Sequence, residues 1–136
     1  MFLGLFGGNK SSERGRRATT GFLKPYDKAR ITSEWGRIEQ LVSAGSPSAI
    51  KEAVLAADKL LDYALAQISS GETMGERLKN SFSAFPRDVY QGLWDAHKAR
   101  NAMVHEINYD LSVLMAKEVL GKFKRGFMAL GASLSN

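Results

Sequence analysis

Cysteine is absent from this chain, which excludes a disulfide framework and any thiolate-ligated metal. Histidine is scarce: two residues in 136, with no His-Glu-x-x-His spacing, so the usual catalytic zinc sets are missing as well. Neither a metal nor another cofactor is expected. Long apolar runs are also lacking. The opening Met1-Phe2-Leu3-Gly4-Leu5-Phe6 is far below the roughly 20 residues needed to span a bilayer. It is shorter than a signal-peptide core too, and its cations follow the apolar stretch where a signal would put them first. No segment alternates with period two, so no strand is expected. Without strands, Gly7-Gly8 and the Gly71–Gly75 stretch lack the context of a phosphate-binding loop. What remains is a cytoplasmic domain of ordinary make-up, 44% apolar and 24% charged, long enough for one core.

The net charge of +5 is unevenly spread. The whole excess lies in residues 1–30, where Arg14, Arg16 and Arg17 form a cluster; cations and anions balance over residues 31–136. Residues 1–30 are rich in Gly, Ser, Thr and Arg and show no apolar period, so they read as a flexible basic tail. Pro25 reads as a stop to any preceding helix. The tail is either a solvated arm or a contact for RNA, DNA or an anionic membrane surface through the Arg cluster and Phe2–Phe6.

From residue 31 to 131 the chain reads as an all-α, up-down bundle of four to five helices. Ile31, Trp35, Ile38, Leu41 and Val42 mark the first helix face, with Thr32 or Ser33 as its cap and Gly45 at its end. Ser46-Pro47 opens a second helix, whose stripe runs from Ile50 to Ile68. Thr73 and Glu76 fit a capping box for a short third helix, with Met74, Leu78 and Phe82 on one side, broken at Pro86. A fourth helix starts near Asp88 and ends around His105 or Glu106. Asn108-Tyr109-Asp110 forms a turn. A fifth helix carries Leu111, Leu114, Met115, Val119, Phe123, Phe127 and Leu130 in register.

The chemistry-bearing segment is Arg100-Asn101-Ala102-Met103-Val104-His105. Arg supplies a charge that never switches off, Asn an amide that can orient a hydroxyl, and His a ring that moves protons near neutral pH. These are the groups a phosphodiester needs. On a straight helix, however, Arg100 and His105 lie about 140° apart. They converge only if the helix ends or bends near Val104, or if a second subunit completes the site. His97, Asn101 and His105 share one line. Asp58 and Asp62, four apart on the second helix, are candidates to orient Arg100 or His105, with His97 and Glu106 flanking the trio. An alternative holds that the trio merely caps its helix and pairs with Asp95, Glu106 or Asp58, while Asp58 and Asp62 form a solvated face. Trp35 and Trp94 read as core or interface anchors.

The run Leu93-Trp94-Asp95-Ala96-His97-Lys98-Ala99-Arg100-Asn101-Ala102-Met103-Val104-His105-Glu106 resembles the HEPN superfamily, the higher eukaryotes and prokaryotes nucleotide-binding domains. It looks especially like small bacterial HEPN-like proteins of unknown function. Ala57-Asp58-Lys59-Leu60-Leu61-Asp62 and Gly71–Leu78 fit the same resemblance, which covers about residues 31–130. It implies a metal-independent endoribonuclease site at a homodimer cleft. In that site Arg100 stabilises the scissile phosphate, His105 handles the proton of the 2′-hydroxyl or the leaving group, and Asn101 orients the site. It equally admits an inactive member that serves as a dimerisation module or binds another protein. Ile107 stands where some HEPN toxins carry a tyrosine two residues after the histidine.

Overall fold

The computed structural model describes residues 21–134 and is all-helical over them. The helices are α1 (Pro25–Ala44), α2 (Pro47–Ile68), α3 (Met74–Asn80), α4 (Arg87–His105) and α5 (Val113–Ala129), with a 3-10 turn at Phe82–Ala84. The expected all-α bundle is the observed fold. Arg14, Arg16, Arg17 and the opening Phe2–Phe6 run lie outside the described residues.

The bundle is organised on α2, which packs against α1, α3, α4 and α5. Its buried stripe contains Ile50, Val54, Leu61, Leu65 and Ile68, interleaved with Ala53, Ala57 and Ala64. The alanines leave room for neighbouring helices to approach, while the branched residues supply buried area worth about 1.5–3 kcal/mol each. Phe123 and Phe127 of α5 are completely buried, and Trp35 meets Phe127 edge-on at 5.6 Å. α4 and α5 form an antiparallel hairpin held close at Gly126. A Cβ there would sit 2.6 Å from Cδ2 of Leu93, itself fully buried.

The domain starts earlier than the periodicity suggests. Residues 25–30 belong to α1, so the tail boundary at residue 30 is corrected. Pro25 occupies the first turn of α1, where a missing N–H costs nothing. Asp27 Oδ2 accepts from the Lys24 N–H at 3.2 Å, taking the role expected of Thr32 or Ser33. Thr32 lies inside the helix, with its hydroxyl 3.0 Å from Lys28 O and from Ser133 O. That contact, with buried Ala132, also extends the packed unit past residue 131. Gly45 closes α1 in the left-handed conformation, φ 78°, as expected.

Two local expectations change in detail. Thr73 Oγ1 accepts from the Glu76 N–H at 3.1 Å, but Glu76 Oε1 reaches back to the Glu72 N–H at 2.7 Å, one residue beyond the cap. In α5 the buried face is Ala116, Val119, Leu120, Phe123, Gly126 and Phe127. Leu114 and Met115 point to solvent, at 71% and 46% exposure. Ala116 and Gly126 hold buried positions on that face, and at Gly126 the approach of Leu93 from α4 leaves no room for a larger residue.

Candidate functional site

The site is built where α4 crosses α2. Leu93 and Ala96 bury the inner face of α4. One turn further along that helix, His97, Arg100 and Asn101 meet Asp58, an acid placed within the apolar stripe of α2 and only 4% exposed. An isolated charge there would be expensive, and two partners offset it. His97 Nδ1 lies 2.9 Å from Asp58 Oδ1. Arg100 Nε lies 3.4 Å from Asp58 Oδ2, an ion pair by distance. The alignment is too poor for a hydrogen bond, so Nε is buried without a hydrogen-bond partner.

Asn101 closes the circuit. Its Oδ1 accepts from Arg100 Nη1 at 3.0 Å, and its Nδ2 stands 3.4 Å from His97 Nε2. Trp94 packs edge-on against the His97 ring, with centroids 6.3 Å apart, and Tyr90 packs against Trp94 in turn. The circuit is graded in depth. The Asp58 side chain is 5% exposed, His97 13% and Arg100 32%. The guanidinium therefore has one end tied to a buried carboxylate and the other in solvent. Such a group can bind an anion at a defined place on the surface.

His105 does not join this circuit. α4 runs without a break to His105, and its pattern continues into the Glu106 N–H, which donates to Ala102 O at 2.9 Å. Convergence through an early helix end near Val104 is therefore ruled out. His105 is exposed and makes no hydrogen bond or ion pair with any other described residue. It sits in an apolar rim at the α4–α5 turn. Val104, Ile107, Val113, Leu114 and Met115 are all exposed there, Ile107 almost completely.

The remaining candidates separate. Asp62 is turned away from α4: its Oδ1 accepts from Arg77 Nε at 2.9 Å and Nη2 at 2.6 Å, fastening α3 to α2. It is therefore neither a partner of Arg100 or His105 nor a purely solvated acid. Asp58, by contrast, is no solvated face. Glu106 is exposed at the C-terminal cap of α4. Asp95 pairs with Lys122 at 3.6 Å and takes no part in the site. Trp35 is a core residue, as expected, and Trp94 supports His97. Periodicity did not anticipate the second buried acid, Asp27, whose Oδ1 accepts from the Tyr63 hydroxyl at 2.8 Å. That bond, with burial second, raises the Tyr63 phenol above its ordinary 10.0. Arg30 covers the Tyr63 ring at 4.7 Å.

Among the described residues no group of three or more acidic or imidazole side chains is placed to hold a metal ion. No described helix is long and apolar enough to cross a membrane. No family model, curated protein or solved structure matches the chain. The HEPN resemblance thus stands on the motif and its place in the helix order.

Proposed function

We propose that this chain is an HEPN-like helical domain that binds RNA at a phosphodiester through Arg100 and Asn101. His105 is the proton-transferring group of a metal-independent endoribonuclease-type site, assembled when two copies pair about the end of α4. The observation that carries this reading is the anchoring of Arg100. A guanidinium held at its Nε side by a buried carboxylate, with its Nη side near the surface, is oriented for an incoming anion before the ligand arrives. The exposed rim around His105 supports the pairing. Ile107, Leu114 and Met115 are exposed apolar residues at the same turn as a ring that has no partner among the described residues. Two-fold pairing there carries each His105 toward the other copy's Arg100, which answers the roughly 140° between them on one helix. The cytoplasm is the compartment consistent with such a role, and the cluster Arg14, Arg16 and Arg17 is a further contact for RNA or an anionic surface.

Cleavage of this type is a transesterification that uses the substrate's own 2′-hydroxyl as nucleophile. The His105 of one copy takes its proton, the 2′-oxygen attacks phosphorus, the P–O5′ bond breaks, and the protonated His105 of the other copy gives its proton to the leaving 5′-oxygen. The product is a 2′,3′-cyclic phosphate, and Arg100 stabilises the charge on the non-bridging oxygens.

The test is incubation of the full chain with RNA in EDTA, beside an Arg100→Ala, His105→Ala double variant. Cleavage to cyclic-phosphate ends by the wild type alone is the expected result. Absent cleavage, or equal cleavage by both, rejects the enzyme. A second reading, a non-catalytic dimerisation or protein-binding module, draws on one specific observation. The buried circuit uses His97, while His105 stands apart from it. Binding of RNA without cleavage, or pairing without RNA binding, favours that module.

A further inference from the structure

The circuit around Asp58 determines more than the position of Arg100. A carboxylate accepts, so the His97 nitrogen facing Asp58, Nδ1, carries a proton, and in the neutral ring Nε2 is left with a lone pair. That lone pair faces the Asn101 amide nitrogen. On the other side, a guanidinium has no acceptor, so the Asn101 oxygen must be the atom that meets Arg100 Nη1. Both neighbours impose the same orientation on the carboxamide. Turning it over would set N–H against N–H at Arg100 and oxygen against a lone pair at His97, two mismatches in one part-buried site.

We propose that Asp58 and His97 are positioning residues that lock the Asn101 carboxamide. The Arg100–Asn101 edge then presents N–H groups to the anionic oxygens of a phosphodiester, and does not serve as an acceptor for a hydroxyl. This rests on the RNA reading above and specifies what that site recognises. The Asn101 oxygen already lies on a cation. What the pair has left is the free Nη hydrogens of Arg100 and the second amide hydrogen of Asn101, against a single spare lone pair. A ligand rich in acceptors and carrying negative charge fits that surplus of donors. Asn101 then holds phosphate oxygen, and the 2′-hydroxyl proton is left to His105. On this proposal Asn101 contacts phosphate in place of the hydroxyl that its amide was expected to orient.

The imidazole nitrogens report the lock directly. In uniformly 15N-labelled full-length protein at mildly alkaline pH, His97 is expected to carry its proton on Nδ1, with Nε2 unprotonated. Its signals are assigned by their loss in His97→Gln. A second measurement follows the Asn101 side-chain NH2 resonances while a diribonucleoside monophosphate is added, and separately an uncharged nucleoside. The phosphodiester should shift them and the nucleoside should not. Asn101→Asp should weaken phosphodiester binding by about tenfold or more. A His97 ring protonated on Nε2 overturns the inference whatever RNA does. Equal response to both probes, or response to neither, overturns the donor assignment. If ring and phosphodiester behave as expected but the wild type neither binds nor cleaves RNA, the RNA reading fails and the anion site stands.

Discussion

The two ends of the Arg100–His105 motif are built on opposite principles. At Arg100 the side chains are closed on one another: Asp58, His97, Asn101 and Arg100 share their hydrogen bonds and charges across two helices. At His105, only five residues later, the ring is exposed and its neighbours are apolar side chains facing water. The first end has stability invested in its geometry. The second has none to lose and is open to whatever binds. On the reading proposed above, a ligand or a second copy would engage the join of the two surfaces without disturbing the fold.

The sharpest way to break this contrast is Asp58→Ala against His105→Ala. Removing the buried carboxylate leaves Arg100 and His97 without their common partner. A loss of about 3 kcal/mol in urea unfolding is expected, at the low end for a broken buried pair because Arg100 reaches solvent. His105→Ala should stay within about 0.5 kcal/mol of wild type while abolishing RNA cleavage. Similar losses for the two variants would show that the ends do not differ.

Next in size is Gly126→Ala, which drives a methyl group into Leu93 where α4 and α5 are closest. A loss of about 1–3 kcal/mol is expected. A neutral result would mean the hairpin can open, and Arg100 would then not be held as rigidly as the circuit suggests.

On the exposed side, Ile107→Asp together with Leu114→Ser should change stability by no more than about 0.5 kcal/mol. It should convert a dimer to a monomer in sedimentation and remove cleavage with it. If wild type and variant sediment alike, the apolar rim is not where two copies meet.

The smallest effect concerns the polar contact between α1 and α2. The folded Tyr63 phenol titrates above its ordinary 10.0 because Asp27 accepts its proton and burial adds to the shift. Its contribution to stability is complete below that ordinary value and is lost as pH rises through the raised folded value. Tyr63→Phe should therefore flatten the alkaline part of a stability–pH curve by a modest amount, since the ring is partly exposed. An unchanged slope would remove Tyr63 from the account.

Much of the fold was legible because helix faces repeat locally. The α2 stripe, the Ser46-Pro47 start and the Gly45 stop each follow from a few neighbouring residues, and each is observed. The misreadings share one cause. The expected tail boundary falls too late because nothing near Pro25 shows that Asp27 caps the helix and is also held by Tyr63, 36 positions away. Leu114 and Met115 fall in register with Val119 and Phe123 by apolar type alone, yet they are exposed. Ala116 and Gly126 carry too little apolar signal to show that they face inward instead. At the site, Arg100, Asn101 and His105 were identifiable by type and spacing. Asp58 and Asp62 looked alike, four residues apart on one helix, yet one lies under α4 and the other faces Arg77.

By itself the sequence determined an all-helical chain, the approximate span of each helix, the absence of thiol chemistry and the segment where charge, amide and imidazole coincide. All of these depend on residue type and on spacings within a few turns. Only the tertiary structure decided which acid holds Arg100, which way Asn101 turns, and that His105 stands outside the circuit. Those outcomes depend on the rotation and approach of α2 against α4, set by small residues and core volumes distant in the chain, and no local pattern encodes them.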